Sequence, residues 1–124
     1  MNITLRLAAI AIAASSVNAV AAEPPATLAD GALVAASGMT LYTFDKDKAV
    51  SGTSACNGPC AALWPPLTAT AADQPTGAFT LITRADGAKQ WAYKGMPLYL
   101  YKADTKPGER AGDNFINVWH IVPN

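Results

Sequence analysis

One stretch of the chain is written twice, and that duplication limits the fold more than any other feature. Gly38-Met39-Thr40-Leu41-Tyr42-Thr43-Phe44-Asp45-Lys46-Asp47 aligns without a gap on Gly95-Met96-Pro97-Leu98-Tyr99-Leu100-Tyr101-Lys102-Ala103-Asp104, at a constant offset of 57. Gly, Met, Leu, Tyr and the final Asp are identical, and Phe44 faces Tyr101. A looser echo follows, with Ala62-Leu63-Trp64 resembling Asn117-Val118-Trp119. A unit the size of a hairpin cannot bury its own apolar face, so two copies must pack on each other. The expected organisation is a single β domain over 23–124 built from two units, about 31–67 and 87–122.

Local patterns agree. Ala32–Ala36, Thr40–Phe44, Phe79–Thr83, Gln90–Tyr93, Leu98–Lys102 and Val118–Val122 are short, rich in β-branched or aromatic residues, and separated by turn residues. Asp86-Gly87 is a hairpin signal, and Ser37-Gly38 and Lys94-Gly95 play the same part before each repeat. The stretch from Phe79 to Lys102 reads as a three-stranded meander, and the repeat implies a related hairpin from Ala32 to Asp45. The predicted class is all-β, a small antiparallel sandwich or barrel-like domain. A short helical or loop insertion around Cys56 and Cys60 interrupts it, opened by Pro59 and ended by Pro65-Pro66. The cysteine segment and the loops Ala69–Gly77 and Lys106–Asp113 are where a binding site is expected.

The N-terminus places the protein. Arg6, the small apolar run Leu7–Ala14 and small residues ending at Val20-Ala21-Ala22 have the order of a secretory signal peptide over 1–22. The run is shorter than the roughly 20 residues a spanning helix needs, and cleavage is expected between Ala22 and Glu23, with the bond before Ala22 as the near alternative. No membrane span is expected after cleavage, and the mature chain is read as periplasmic or secreted. The whole chain has 9 Lys+Arg against 9 Asp+Glu and is 15% charged, which excludes a polycationic nucleic-acid binder and a disordered charged tail.

Few residues offer chemistry. Alternation puts Tyr42 with Phe44, and Tyr99 with Tyr101, on one face of their strands, and Leu41 and Leu98 on the other. The aromatics therefore read as the scaffold of the fold, with an aromatic platform for a sugar or another flat ligand as the competing use. Asp47 and Asp104, just past the strands, are expected to accept backbone N–H bonds in the following turn. Cys56 and Cys60, four apart with Cα atoms about 6 Å from each other in a turn or helix, fit a disulfide in an oxidising compartment. That spacing is not the C-x-x-C of thiol oxidoreductases. In the alternating strand, one of Trp119 and His120 faces the core. A soft Cu(I) site from His120 with Met39 and Met96 is the sharp alternative for these residues. The sequence carries no nucleophile elbow, zinc-protease motif or phosphate-binding glycine loop, so no catalytic residue, metal or cofactor is assigned.

Together, Tyr42-x-Phe44-x-x-Asp47 and Tyr99-x-Tyr101-x-x-Asp104, with Cys56-Asn57-Gly58-Pro59-Cys60-Ala61-Ala62-Leu63-Trp64-Pro65-Pro66-Leu67 between them, resemble the bacterial secreted-repeat or predicted-lipoprotein family named for its Yx(FWY)xxD motif. The resemblance implies export and a repeat-built body, and brings no established activity with it. The chain departs from the lipoprotein members in lacking a cysteine at the cleavage site. The expected function is a binding or interaction module of the cell envelope, whose partner is an envelope component or a small ligand and not nucleic acid. The alternative is a periplasmic copper or thiol-redox protein.

Overall fold

A computed structural model describes residues 23–124; the expected leader 1–22 and its cleavage site lie outside them. Strands β1 (Ala26–Ala29) and β2 (Ala32–Ala35) form a hairpin. Its turn, Asp30-Gly31, has positive φ at both central residues (51° and 78°), the type I′ geometry that matches strand twist. β3 (Tyr42–Phe44) follows, then the short helix α1 (Pro59–Leu63) and β4 (Thr68–Ala69). The second half runs through β5 (Phe79–Thr83), β6 (Lys89–Tyr93), β7 (Met96–Pro97), a 3-10 turn at Phe115–Asn117 and β8 (Trp119–Ile121).

All pairings are antiparallel and the ladders do not close into a barrel. The meander expected from Phe79 onward is present as β5-β6-β7, while 98–102 departs from the expected strand. After Pro97 the backbone holds on by single bridges, Tyr99 meeting both Tyr42 and Pro66, and by Leu100 and Lys102 N–H bonds to the carbonyls of Pro65 and Leu63. Pro65, Pro66 and Pro97 lack the N–H a continuous ladder needs. β1 and β4 carried no strand signal because both are short and rich in alanine or threonine with no alternation to read.

The two halves are interlocked. Tyr42 and Tyr99 face each other and exchange N–H to C=O bonds of 2.8 and 2.9 Å, which marks a local twofold axis relating the repeats. About this axis each half gives its last strand to the other. β8 of the second half pairs with β3 of the first, in the register Tyr42 to Ile121 and Phe44 to Trp119. Leu33 N–H meets the Val122 carbonyl. In the mirror arrangement, β4 of the first half pairs with β6 of the second, and Trp91 N–H meets the Leu67 carbonyl.

Strand alternation then sorts the side chains into two cores. Leu41 and Leu98 join Ala26, Leu33, Ala35, Trp91 and Val122 on one face. Tyr42, Phe44 and Tyr99 join Cys56, Trp64 and Trp119 on the other. Each core draws residues from both repeats, so neither half could complete one alone.

Candidate functional site

The second core carries most of the chain's polar chemistry. Tyr42 Oη donates to Asp104 Oδ2 at 2.5 Å, and Tyr99 Oη donates to Asp47 Oδ2 at 2.6 Å. Each repeat's tyrosine is thus held by the other repeat's aspartate. The second carboxylate oxygens stay in their own half: Asp47 Oδ1 accepts the Ala55 N–H at 2.6 Å and Asp104 Oδ1 the Ala111 N–H at 2.9 Å. Both aspartates do bind backbone N–H groups as the sequence implies, but across a loop rather than in the adjoining turn, and the tyrosine bond was not foreseen. Burial, reinforced by the bonded aspartate, pushes both phenols well above their ordinary value of 10. Burial also lifts the Asp47 carboxyl above its ordinary value, against the pull of Tyr99, the Ala55 N–H and the charge of Arg84.

Around these bonds the aromatics stack in a ladder of four rings. Phe44 lies on Trp119 at 4.2 Å, Trp119 on Trp64 at 3.8 Å, and Trp64 on Tyr101 at 4.1 Å. The rungs alternate between repeats. Tyr42 and Tyr99 are inaccessible, Trp119 is only 2% exposed and Phe44 is buried, so these rings pack between the halves, while Tyr101, at the end of the ladder, is half-buried against the exposed Phe115.

The two ends of the ladder differ in how they are closed. At one end Gly112 lies beside Trp64 and donates its N–H to Tyr42 Oη at 3.2 Å; a Cβ there would come within 2.6 Å of Trp64 Cη2. At the other end the Cys56–Cys60 disulfide is formed, with Cα atoms 5.2 Å apart. Arg84, 5% exposed, clamps that loop. Its guanidinium donates to the Cys56 carbonyl, to Asn57 Oδ1, to Ser54 Oγ at 3.0 Å and to Gln90 Oε1 at 2.7 Å. Ser54 in turn lies 2.6 Å from Tyr99 Oη. Since Tyr99 gives its proton to Asp47, Ser54 donates to Tyr99, and one directed chain of donors runs from Arg84 through Ser54 and Tyr99 to Asp47. Its two charged ends, Arg84 and Asp47, are both buried and of opposite sign.

Sequence reasoning named the tyrosines, the aspartates and the cysteines, and missed Ser54, Arg84, Gln90 and Gly112. Arg84 carried one signal, a charge just past the Phe79–Thr83 strand and two residues before Asp86-Gly87; Ser54 and Gly112 carried none. His120 turns outward from β8 as Trp119 turns in, and its Nε2 lies 2.8 Å from Asp45 Oδ2 on the exposed face. The antiparallel pairing of Tyr42 with Tyr99 runs the two segments in opposite directions, so Met39 and Met96 fall on opposite sides of the axis. The two methionines of the copper reading are thus set apart along the paired segments. Among the described residues no group of three or more His, Cys, Asp or Glu side chains gathers to hold a metal ion, and no helix is long and apolar enough to cross a membrane.

Two open clefts occupy equivalent places in the halves. One, about 570 Å³, lies between Gly38 and Thr40 of the first half and Pro107, Gly108 and Arg110 of the second. The other, about 410 Å³, lies between Lys94 and Gly95 of the second half and Val50 and Gly52 of the first. Gly38 and Gly95 are repeat-equivalent, and in each cleft the facing loop is the one that follows the other half's aspartate.

A family model described as a secreted repeat of unknown function matches the chain twice, over residues 26–68 and 80–123. The chain belongs to this secreted-repeat family. The two matches fall on the two halves that the Tyr42–Tyr99 axis relates, and they take in β1 and all of β5 but its first residue, the outer strands of each hairpin. Comparison of this secreted-repeat chain with curated proteins and with solved structures gives no match.

Proposed function

We propose that the protein is an exported binding module of the cell envelope, matured by cleavage after Ala22 and acting as one β domain over 23–124. Tyr42, Phe44, Asp47, Tyr99, Tyr101 and Asp104 serve its structure, and recognition belongs to the surface. The observation that carries this reading is the pair of equivalent clefts. Each is made where a loop of one half meets a hairpin of the other, so the interlock that stabilises the fold also shapes both recesses. Each has a cation on its wall, Arg110 in one and Lys94 in the other. Loops held by a rigid scaffold are the usual carriers of binding residues. The alternative, a copper or thiol-redox protein of the periplasm, has on its side the exposed His120–Asp45 pair and the Cys56–Cys60 bond.

Amide NMR of the isotope-labelled protein, titrated in separate arms with soluble peptidoglycan fragments and with Cu(I), tests the two. The binding reading expects shifts at Gly38, Gly108, Gly52 and Gly95 in the first arm. Shifts confined to Met39, Met96 and His120 in the second arm would replace it with the copper reading. No shifts at either cleft in the first arm would remove the clefts as the recognition surface for that material.

A further inference from the structure

The surface on which the halves meet is self-complementary. Tyr42 with Asp104 and Tyr99 with Asp47 are the same bond made twice, the Tyr42–Tyr99 backbone pair is reciprocal, and Trp64 lies parallel on its repeat counterpart Trp119. This is the geometry of an isologous dimer interface, in which one patch meets a copy of itself. Here both copies sit on one chain. What joins them covalently is the exposed loop 70–78, and its hydrogen bonds are local to each side. Thr70 and Asp73 bond each other on the first side, and Thr76 and Phe79 bond each other on the second. Among the described residues no hydrogen bond within the loop joins residues 70–74 to residues 75–78.

We infer that a second copy of this chain can supply either half. The loop opens at Gln74-Pro75, and two chains exchange their C-terminal halves to give a dimer with two complete sets of Tyr–Asp bonds and two aromatic ladders. No contact of the closed monomer is lost except those of the loop itself, so the closed and exchanged forms differ mainly in the entropy of the connection. A short flexible tether holds its ends at an effective concentration on the order of 1 mM, which sets where exchange competes with closure. Closing the aromatic core requires both halves, so the two forms interconvert through an opened chain and the exchanged dimer, once formed, persists.

The test uses the full exported protein with a protease recognition sequence inserted between Gln74 and Pro75. It is refolded from denaturant at about 10 µM and near 1 mM, then resolved by size-exclusion chromatography and native mass spectrometry. The expected result is a trace of dimer at the lower concentration and a major dimer species at the higher one, stable to dilution. Cutting the loops of the isolated dimer then converts it to particles of one-chain mass, each holding two fragments, with the near-UV circular dichroism unchanged. Cutting the monomer leaves its two fragments associated. Absence of a dimer near 1 mM would overturn the inference. So would a dimer that keeps its two-chain mass after cutting, since that dimer is held by surface contacts, and so would a cut monomer whose fragments separate under native conditions.

Discussion

Tyr42 and Asp104 are 62 positions apart, yet their bond and its twin decide how the repeats meet. A phenol inside an aromatic core needs an acceptor, and a carboxylate inside it needs donors. The exchange of one tyrosine for one aspartate across the axis satisfies all four groups at once. Tyr42→Phe leaves Asp104 Oδ2 without its donor and is expected to cost about 1–3 kcal/mol. A double-mutant cycle in urea locates the partner. Tyr42→Phe and Asp104→Asn are expected to couple by about 1–2 kcal/mol, whereas Tyr42→Phe and Asp47→Asn add within about 0.5 kcal/mol. Coupling to Asp47 instead of Asp104 would mean that each repeat satisfies its own tyrosine.

Among the elements, the two loops that close the ends of the aromatic ladder do one job with different chemistry. In the second half the backbone suffices, because Gly112 brings its N–H to Tyr42 and has no side chain to strike Trp64. In the first half the loop 54–64 carries the disulfide and α1, and is clamped by Arg84 from the β5–β6 hairpin. Arg84 is the first residue after β5, and its long side chain carries the guanidinium to the loop. Closing so short a covalent ring is worth about 2 kcal/mol, so Cys56→Ala with Cys60→Ala is expected to lower stability by that amount and leave the near-UV spectrum native. Arg84→Met removes the donor of Gln90 Oε1 and of the Cys56 carbonyl inside the protein, at an expected cost of about 3 kcal/mol or more. Urea midpoints of the two variants check the order, and a disulfide loss that exceeds the arginine loss would show the clamp to be secondary.

For the whole molecule, the buried network sets a direction to its pH response. Tyr42 and Tyr99 keep their protons in the folded state well past the ordinary phenol value of 10, while the unfolded chain gives them up there. The folded state then binds more protons, so their contribution to stability is complete below about pH 10 and is lost as pH rises beyond it. Asp47, raised by burial, acts with the same sign at lower pH: its contribution is complete below the ordinary carboxyl value near 4 and is lost as pH rises through the folded value. In a spectrophotometric titration the phenolate absorbance of Tyr42 and Tyr99 is expected to appear only as the fold opens. The alkaline decline in stability is expected to be shallower in Tyr42→Phe. Phenolate absorbance from both residues at their ordinary value, with the near-UV circular dichroism intact, would show the phenols to be solvated.

Sequence alone determined what depends on neighbours along the chain. Repetition of the 38–47 segment at 95–104 required two β units packed together, alternation separated Leu41 and Leu98 from the aromatics, and Asp86-Gly87 placed a hairpin. The four-residue spacing of Cys56 and Cys60 made a disulfide the expected pairing, since a ring that small closes on local geometry, and the bond is formed. Only the tertiary structure decided which half each group serves. Tyr42 could have met Asp47 or Asp104 by residue type, and Trp64 gave no sign that it stacks on Trp119. The choice followed from each half giving up its last strand, and that exchange pays only when both cores close together. Arg84 and Ser54 became partners in the same way, because a buried charge accepts whatever donors and acceptors the folded chain sets beside it, and no pattern along the chain records those neighbours.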